Sequence, residues 1–228
     1  MTSSAIVIPA RYASTRLPGK PLVKLNGKTM IETVYEKCKA TGIDTYVLTD
    51  SMAVANLFNW DICWIDQSVR FENGTERVAG AINGELLNNY TSFINVQGDM
   101  PDVTEEMIEK AQWHLKHYPV TTVFTDMPED KQNDPNTVKM IRAGDQALWF
   151  GRGMTGYGEW HLGVYGYRRH ALNMYMSLPQ EKEEVIEQLE QLRWLKSGWQ
   201  IGCKSVQYNG VEINSPEDVE EWHNKNCP

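Results

Sequence analysis

Five short runs rich in β-branched residues, AIVIPA (5–10), TYVLTD (45–50), ICWIDQ (62–67), SFINVQ (92–97) and VTTVFTD (120–126), alternate with segments of helical period. This ordering constrains the chain more than any other feature, because it is the signature of an α/β fold built on a mostly parallel sheet flanked by helices. KTMIETVYEKCKATG places Ile31, Val34, Tyr35 and Cys38 on one helical face and stops at Gly42. Ser51 is positioned to cap a short helix through Asn59. A further helix is predicted from about Thr75 through Val78, Ala81, Ile82 and Leu86, with Thr75 as its cap, and Thr104 precedes a fourth, EEMIEKAQWHLKHY.

Beyond Asp126 the pattern changes. VKMIRAGDQALWFGR reads as a hairpin turned at Ala143-Gly144-Asp145, and HLGVYGYR (161–168) as another extended segment. These antiparallel pieces predict a small lobe over about 137–170, carried by a single domain that spans 1–228. EKEEVIEQLEQLRWLKSG reads as one long helix ending at Gly198. SPEDVEEW supplies an N-cap Ser215, Pro216 at the first helical position and acids in the first turn, which puts Asn214 just upstream of a helix N-terminus.

Bulk properties narrow the function classes. A formal net charge of -8 argues against binding to nucleic acid or to a membrane surface, both of which need a broad positive face. MTSS is uncharged and leads straight into AIVIPA, so no signal peptide is expected, and no apolar run approaches membrane-spanning length. Cys38, Cys63, Cys203 and Cys227 show no CxxC spacing and read as reduced thiols in a cytoplasmic protein.

Against this acidic background, Arg11, Arg16 and Lys20 gather in the loop after the first predicted strand. A strand-to-helix turn is where phosphates are commonly held; three cations strengthen that field, and Gly19 lets backbone approach a phosphate. The chain has neither GxxxxGK[ST] nor a GxGxxG after the strand, which disfavours a P-loop ATPase and a dinucleotide-binding dehydrogenase. In open α/β sheets ligands sit beyond the carboxyl ends of the strands, so the basic loop, Asp99 and the 73–77 turn are expected to face one crevice.

PARYASTRLPGKPLVKLNGK, followed in order by GTERVA (74–79), INVQGD (94–99), DPNTVKMI (134–141), HLGVYGYR (161–168), LEQLRWL (189–195) and SPEDVE (215–220), resembles the 3-deoxy-manno-octulosonate (Kdo) cytidylyltransferase family. The resemblance covers nearly the whole chain. It implies a Rossmann-like nucleotidyltransferase fold, and formation of a CMP-sugar from CTP and a 3-deoxy sugar acid with release of pyrophosphate. It further implies Mg²⁺, a homodimer and a place in lipopolysaccharide biosynthesis. Carried over by position, Arg11, Arg16 and Lys20 bind the phosphates, and Lys20, Asp99 and Arg11 are the catalytic set. Asn73, Gly74 and Arg77 read cytosine. Gln97, Arg152, His161, Tyr165, Glu190 and Gln191 contact the sugar, with Arg152 on its carboxylate. Asp99 and Asn214 hold the metal.

Three departures from the family pattern stand out. Met100 replaces a Glu, which is expected to remove a carboxylate from the metal's neighbourhood. Asn214 stands where an Asp is usual. The segment GMTGYGEW (153–160) is short beside the sugar pocket and dimer contact of relatives. They leave open a same-fold enzyme for another nucleotide or acidic sugar, or a nucleotide-binding homologue with impaired turnover.

Overall fold

The computed structural model describes residues 3–14, 16–66 and 71–226. Cys227 and part of the predicted ICWIDQ run, Gln67, lie outside the described residues. The chain divides into two compact units, Met1–Glu105 with Asn209–Pro228, and Glu106–Tyr208.

The first unit opens with β1 (Ser4–Ala10), in which residues 5–10 are all buried. After the basic loop come the two-stranded β2 (Lys24–Leu25) and β3 (Lys28–Thr29) and the helix α1 (Met30–Ala40). α1 starts where the sequence specifies: Thr29 and Glu32 form a reciprocal capping box, and Met30, Ile31, Val34 and Cys38 turn inward. Then follow β4 (Thr45–Thr49), α2 (Met52–Ala55), β5 (Cys63–Ile65), α3 (Gly74–Ala81) and β6 (Ser92–Val96). β1 lies parallel between β4 and β6, and β5 pairs parallel with β4 on the outer side. β1, β4 and β6 are largely buried along their length, as a doubly covered parallel sheet requires, and include the buried polar residues Thr45, Thr49, Ser92 and Asn95.

Two helices differ from the sequence expectation. The one after Ser51 ends at Ala55 instead of Asn59, with no side-chain cap bond from Ser51. α3 ends at Ala81, short of Leu86, because Gly84 closes a tight turn onto the carbonyl of Ala81 beside Trp64. Leu87 is nevertheless fully buried.

The second unit contains α4 (Glu105–His114) from its second residue on, β7 (Val120–Thr125), β8 (Lys139–Ala143), β9 (Gln146–Gly151), β10 (Glu159–Arg168), α5 (Arg169–Tyr175), α6 (Lys182–Glu187), α7 (Leu192–Lys196) and β11 (Ile201–Ser205). β7 pairs antiparallel with β10 and parallel with β11, while β9 joins β11 to β8 in antiparallel fashion. The hairpin expected at Ala143-Gly144-Asp145 is present, with Gly144 at φ +57. The antiparallel strands expected as a lobe over 137–170 share one sheet with β7 and β11.

The long helix expected over 181–198 is broken. α6 ends at Glu187, the next residue, Gln188, adopts a left-handed φ of +53, and α7 begins only at Leu192. The break folds α7 back so that the Arg193 guanidinium meets the Glu184 carboxylate at 2.6 Å, with both side chains buried, and lies over the Tyr175 ring. Helical periodicity over the whole stretch gave no sign of this, because the deciding interaction is tertiary.

The chain ends in α8 (Pro216–Asn226), back in the first unit. Trp222 joins Leu25, Met30, Val211 and Ile213 in a buried cluster, with Leu17 and Val219 packed against it. Burying side chains of this size is worth about 1.5–3 kcal/mol each. The cluster therefore fixes the basic loop, through Leu17, beside residues 213–214. Asp102 adds polar ties, accepting from Trp222 Nε1 at 3.0 Å and from the Val211 N–H at 2.9 Å.

Candidate active site

In the first unit the basic loop reaches Gly19, whose backbone is left-handed at φ +65 and leads into a short 3-10 turn over Lys20–Leu22. Glycine suits that conformation because it has no Cβ to clash. The turn aims Lys20 at two oxygens from distant parts of the sequence: its Nζ donates to Asp99 Oδ2 at 2.6 Å and to Asn214 Oδ1 at 3.0 Å. Arg16 donates to the same Asn214 oxygen at 3.3 Å.

The backbone under both oxygens is fixed. Gly98 passes so close to β1 that a Cβ there would stand 3.1 Å from the carbonyl oxygen of Pro9. The Ile213 N–H donates to the Asp99 carbonyl at 3.0 Å. Asp218, in the first turn of α8, accepts from the N–H groups of Asn214 and Ser215 at 2.7 and 2.8 Å. Four residues selected from sequence, Arg16, Lys20, Asp99 and Asn214, thus meet. Arg11 is exposed at the mouth of the loop.

Positions 99 and 100 differ in exposure. The Met100 side chain is 1% exposed, whereas Asp99 remains 28% exposed. The methionine side chain at position 100 packs in the interior.

The 73–77 segment lies nearby. Asn73, not Thr75, caps α3, its Oδ1 accepting from the Glu76 N–H at 2.8 Å. Thr75 is fully buried. Gly74 lies against Gln97, since a Cβ on it would meet Gln97 Nε2 at 3.4 Å. Arg77 is buried, and its Nη2 donates to Asp50 Oδ2 at 3.1 Å; Nη1 has no partner among the described residues. A guanidinium in the first turn of a helix opposes the helix dipole, and Asp50 supplies the compensating charge.

Asp50 is the residue that the sequence reading missed. Its other oxygen accepts from the Tyr12 N–H at 3.0 Å, so one carboxylate ties the basic loop to Arg77. Its place at the carboxyl end of β4 was the available signal. With Tyr12, Ala13, Ser51, Met52 and Ala53 it lines an open hollow of about 650 Å³.

The second unit holds the remaining candidates. His161 is buried, its Nε2 within 2.9 Å of Thr122 Oγ1 and its ring between Phe150 and Tyr165. Burial, helped by the positive charge of Arg152, lowers its pKa to about 3, so the imidazole is neutral. Arg152 donates from Nη1 to the Asn136 carbonyl at 2.6 Å. Glu190 is half-buried, its carbonyl accepting from the Tyr175 hydroxyl at 3.1 Å. Gln191 is 1% exposed, and its Nε2 has no partner among the described residues. Arg152, His161 and Tyr165 are thereby grouped around one another; Glu190 and Gln191 sit at the entrance to α7.

Asp99 and Asn214 fit a hard divalent cation by the chemistry of their donors. Both oxygens already converge on a cation, the Lys20 ammonium. One carboxylate and one amide oxygen leave most of an octahedron to phosphate and water, the usual arrangement for Mg²⁺ at nucleotide sites. Among the described residues no group of three or more His, Cys, Asp or Glu side chains is placed to hold a metal. The buried thiols are unsuited to the task, with Cys38 and Cys203 pushed up to about 12 and Cys63 to about 11 by burial.

Comparison with known proteins places the chain in a family. The family described as Cytidylyltransferase matches residues 5–205. The 8-amino-3,8-dideoxy-manno-octulosonate cytidylyltransferase of Shewanella pealeana is 34% identical, with 94% of each chain covered. The 3-deoxy-manno-octulosonate cytidylyltransferase of Parabacteroides distasonis is 32% identical, also over 94% of each chain. A solved structure of CMP:2-keto-3-deoxy-manno-octonic acid synthetase complexed with CTP superposes with a TM-score of 0.86 at 31% identity, over 96% of both chains. The chain belongs to the cytidylyltransferase family and, within it, to the nucleotidyltransferases of the 3-deoxy-manno-octulosonate type.

Proposed function

We propose that the protein couples CTP to 3-deoxy-manno-octulosonate, or to its 8-amino relative, giving the CMP-sugar and pyrophosphate. The observation that carries this reading is the meeting of Lys20, Asp99 and Asn214, at 2.6 and 3.0 Å, in a chain of this family. In the reaction the anomeric hydroxyl oxygen bonds to the α-phosphorus of CTP, the bond from that phosphorus to the β-phosphate bridge oxygen breaks, and the hydroxyl proton passes to solvent. No group of the protein is consumed, so the acceleration rests on alignment and on charge neutralisation.

Arg11, Arg16 and Lys20 serve the triphosphate. Lys20 exchanges its bonds to Asp99 and Asn214 for phosphate oxygens, which frees both acceptors to hold Mg²⁺. When bound there, the ion neutralises phosphate charge and favours departure of pyrophosphate. Asn73, Gly74 and Arg77 serve the base, Arg77 through the Nη1 that has no partner among the described residues. Arg152 takes the acceptor's carboxylate, and Gln97, Tyr165, Glu190 and Gln191 its hydroxyls. His161 serves the same sugar, its imidazole neutral and bonded to Thr122 beside the Tyr165 ring.

Among the described residues no helix is long and apolar enough to cross a membrane. On this reading the enzyme works in the cytoplasm, as a homodimer, in the supply of lipopolysaccharide sugar. A pyrophosphate-release assay over CTP, UTP, GTP and ATP with a panel of sugar acids, with and without Mg²⁺, tests the proposal. Release confined to CTP with a 3-deoxy-octulosonate and dependent on Mg²⁺ is expected; preference for another nucleotide contradicts it.

A further inference from the structure

Arg152 is held at three points within the second unit. Its N–H donates to Glu187 Oε2 at 2.7 Å, its carbonyl accepts from Lys139 Nζ at 3.3 Å, and its guanidinium donates to the Asn136 carbonyl. The same Glu187 oxygen accepts from the Gly153 N–H at 3.2 Å. Glycine flanks Arg152 on both sides, and a Cβ at either Gly151 or Gly153 would stand within 3.6 Å of Glu187 Oε1. The carboxylate is therefore seated directly on the peptide of the Gly-Arg-Gly turn. Lys139 is fully buried beneath it.

Glu187 is an unexpected residue at its own place in the chain. It ends α6, and a carboxylate at the negative end of a helix is electrostatically disfavoured. The next residue, Gln188, takes a left-handed φ of +53 although it is not glycine. Glu190 and Gln191 follow within four residues, so the turn carrying Arg152 and the segment carrying Glu190 and Gln191 are joined through one carboxylate.

We infer that Glu187 is a positioning residue for the acceptor site, fixing the Arg152 turn to the 188–191 segment so that both approach a sugar acid in one geometry. The inference rests on the assignment of Arg152 to the acceptor carboxylate. Glu187 touches neither substrate and acts through Arg152, so its loss affects the Michaelis constant of the sugar acid and leaves that of CTP alone.

The test uses the full chain with saturating CTP and Mg²⁺, varying 3-deoxy-manno-octulosonate. Glu187→Ala is expected to raise KM for the sugar about tenfold, with KM for CTP and kcat within about twofold of wild type. Glu187→Gln keeps an acceptor oxygen of the same reach and is expected to restore most of that loss. Glu187→Asp, one methylene too short, is expected to raise KM about fivefold, and it carries the test should the alanine variant fail to fold.

Combining Glu187→Ala with Arg152→Ala is expected to be no worse than Arg152→Ala alone, because one acts through the other. Full additivity of the two, an equal rise in KM for CTP, or a wild-type sugar KM in folded Glu187→Asp beside a raised one in Arg152→Ala overturns the positioning role. An unchanged sugar KM in Arg152→Ala overturns the acceptor assignment and this inference together.

Discussion

Replacing Lys20 by Met keeps the aliphatic stem and removes the ammonium that bridges Asp99 and Asn214 at 2.6 and 3.0 Å. Two opposite effects follow. Hydrogen bonds to a charged group contribute roughly 1.5–3 kcal/mol, and exposed ion pairs about 0–1 kcal/mol. Lys20 and Asp99 are 15% and 28% exposed, which places the loss of folding stability at about 1–2 kcal/mol between those limits.

Divalent binding should move the other way. A divalent ion a few ångströms from an ammonium in water-like surroundings is repelled by roughly 1–2 kcal/mol, so removal of the charge strengthens metal binding by about tenfold. Titration with Mn²⁺ in the absence of nucleotide, followed by the signal of the free ion in electron paramagnetic resonance, measures this directly. Calorimetry measures the weakening of CTP, also expected at about tenfold or more. An unchanged Mn²⁺ affinity in Lys20→Met, with the protein folded, would refute the idea that lysine and metal compete for the same two oxygens.

Asn214→Asp adds a negative charge beside Lys20 and Arg16; turnover is expected to hold or rise, with Mn²⁺ binding tightened, and an inactive, folded variant contradicts this. Glu184→Ala strands a buried guanidinium and should lower stability by about 3–5 kcal/mol in urea titration, whereas an Ala variant as stable as wild type refutes the buried-pair account. His161 should make stability depend on pH. Its folded pKa of about 3 lies below the unfolded value near 6.5, so the unfolded chain binds the extra proton between these values. Its contribution is complete above about pH 6.5 and declines by about 1.4 kcal/mol per unit as pH falls toward 3. His161→Phe should remove that part of the slope, measured by denaturant titration at several pH values.

The parallel strands of the first unit were legible because buried parallel strands are apolar on both faces and stand out as continuous runs. The cap of α1 was equally local: Thr29 and Glu32 settle it between themselves. The meeting of Lys20 with Asp99 and Asn214 was legible in part, through the rule that ligands gather at strand carboxyl ends and through family resemblance. Asp50 was not, because an Asp after a strand looks like any turn residue until Arg77 and the Tyr12 N–H are seen on its two oxygens. The break at Gln188 was invisible for a related reason. Charged residues at helical spacing look the same whether they face water or, like Glu184 and Arg193, each other in the interior. The interior place of Met100 was equally hidden, since a residue after Gly98-Asp99 reads as part of an exposed turn.

The central claim is that Asp99, released by Lys20, supports transfer of CMP from CTP to a 3-deoxy sugar acid. Phosphorus NMR of CTP, 3-deoxy-manno-octulosonate and Mg²⁺ with the wild-type protein and with Asp99→Ala tests it most directly. The account predicts growth of a CMP-sugar phosphodiester signal and equimolar pyrophosphate with the wild type, and neither with the folded variant. Equal product from both proteins, or none from the wild type, contradicts it.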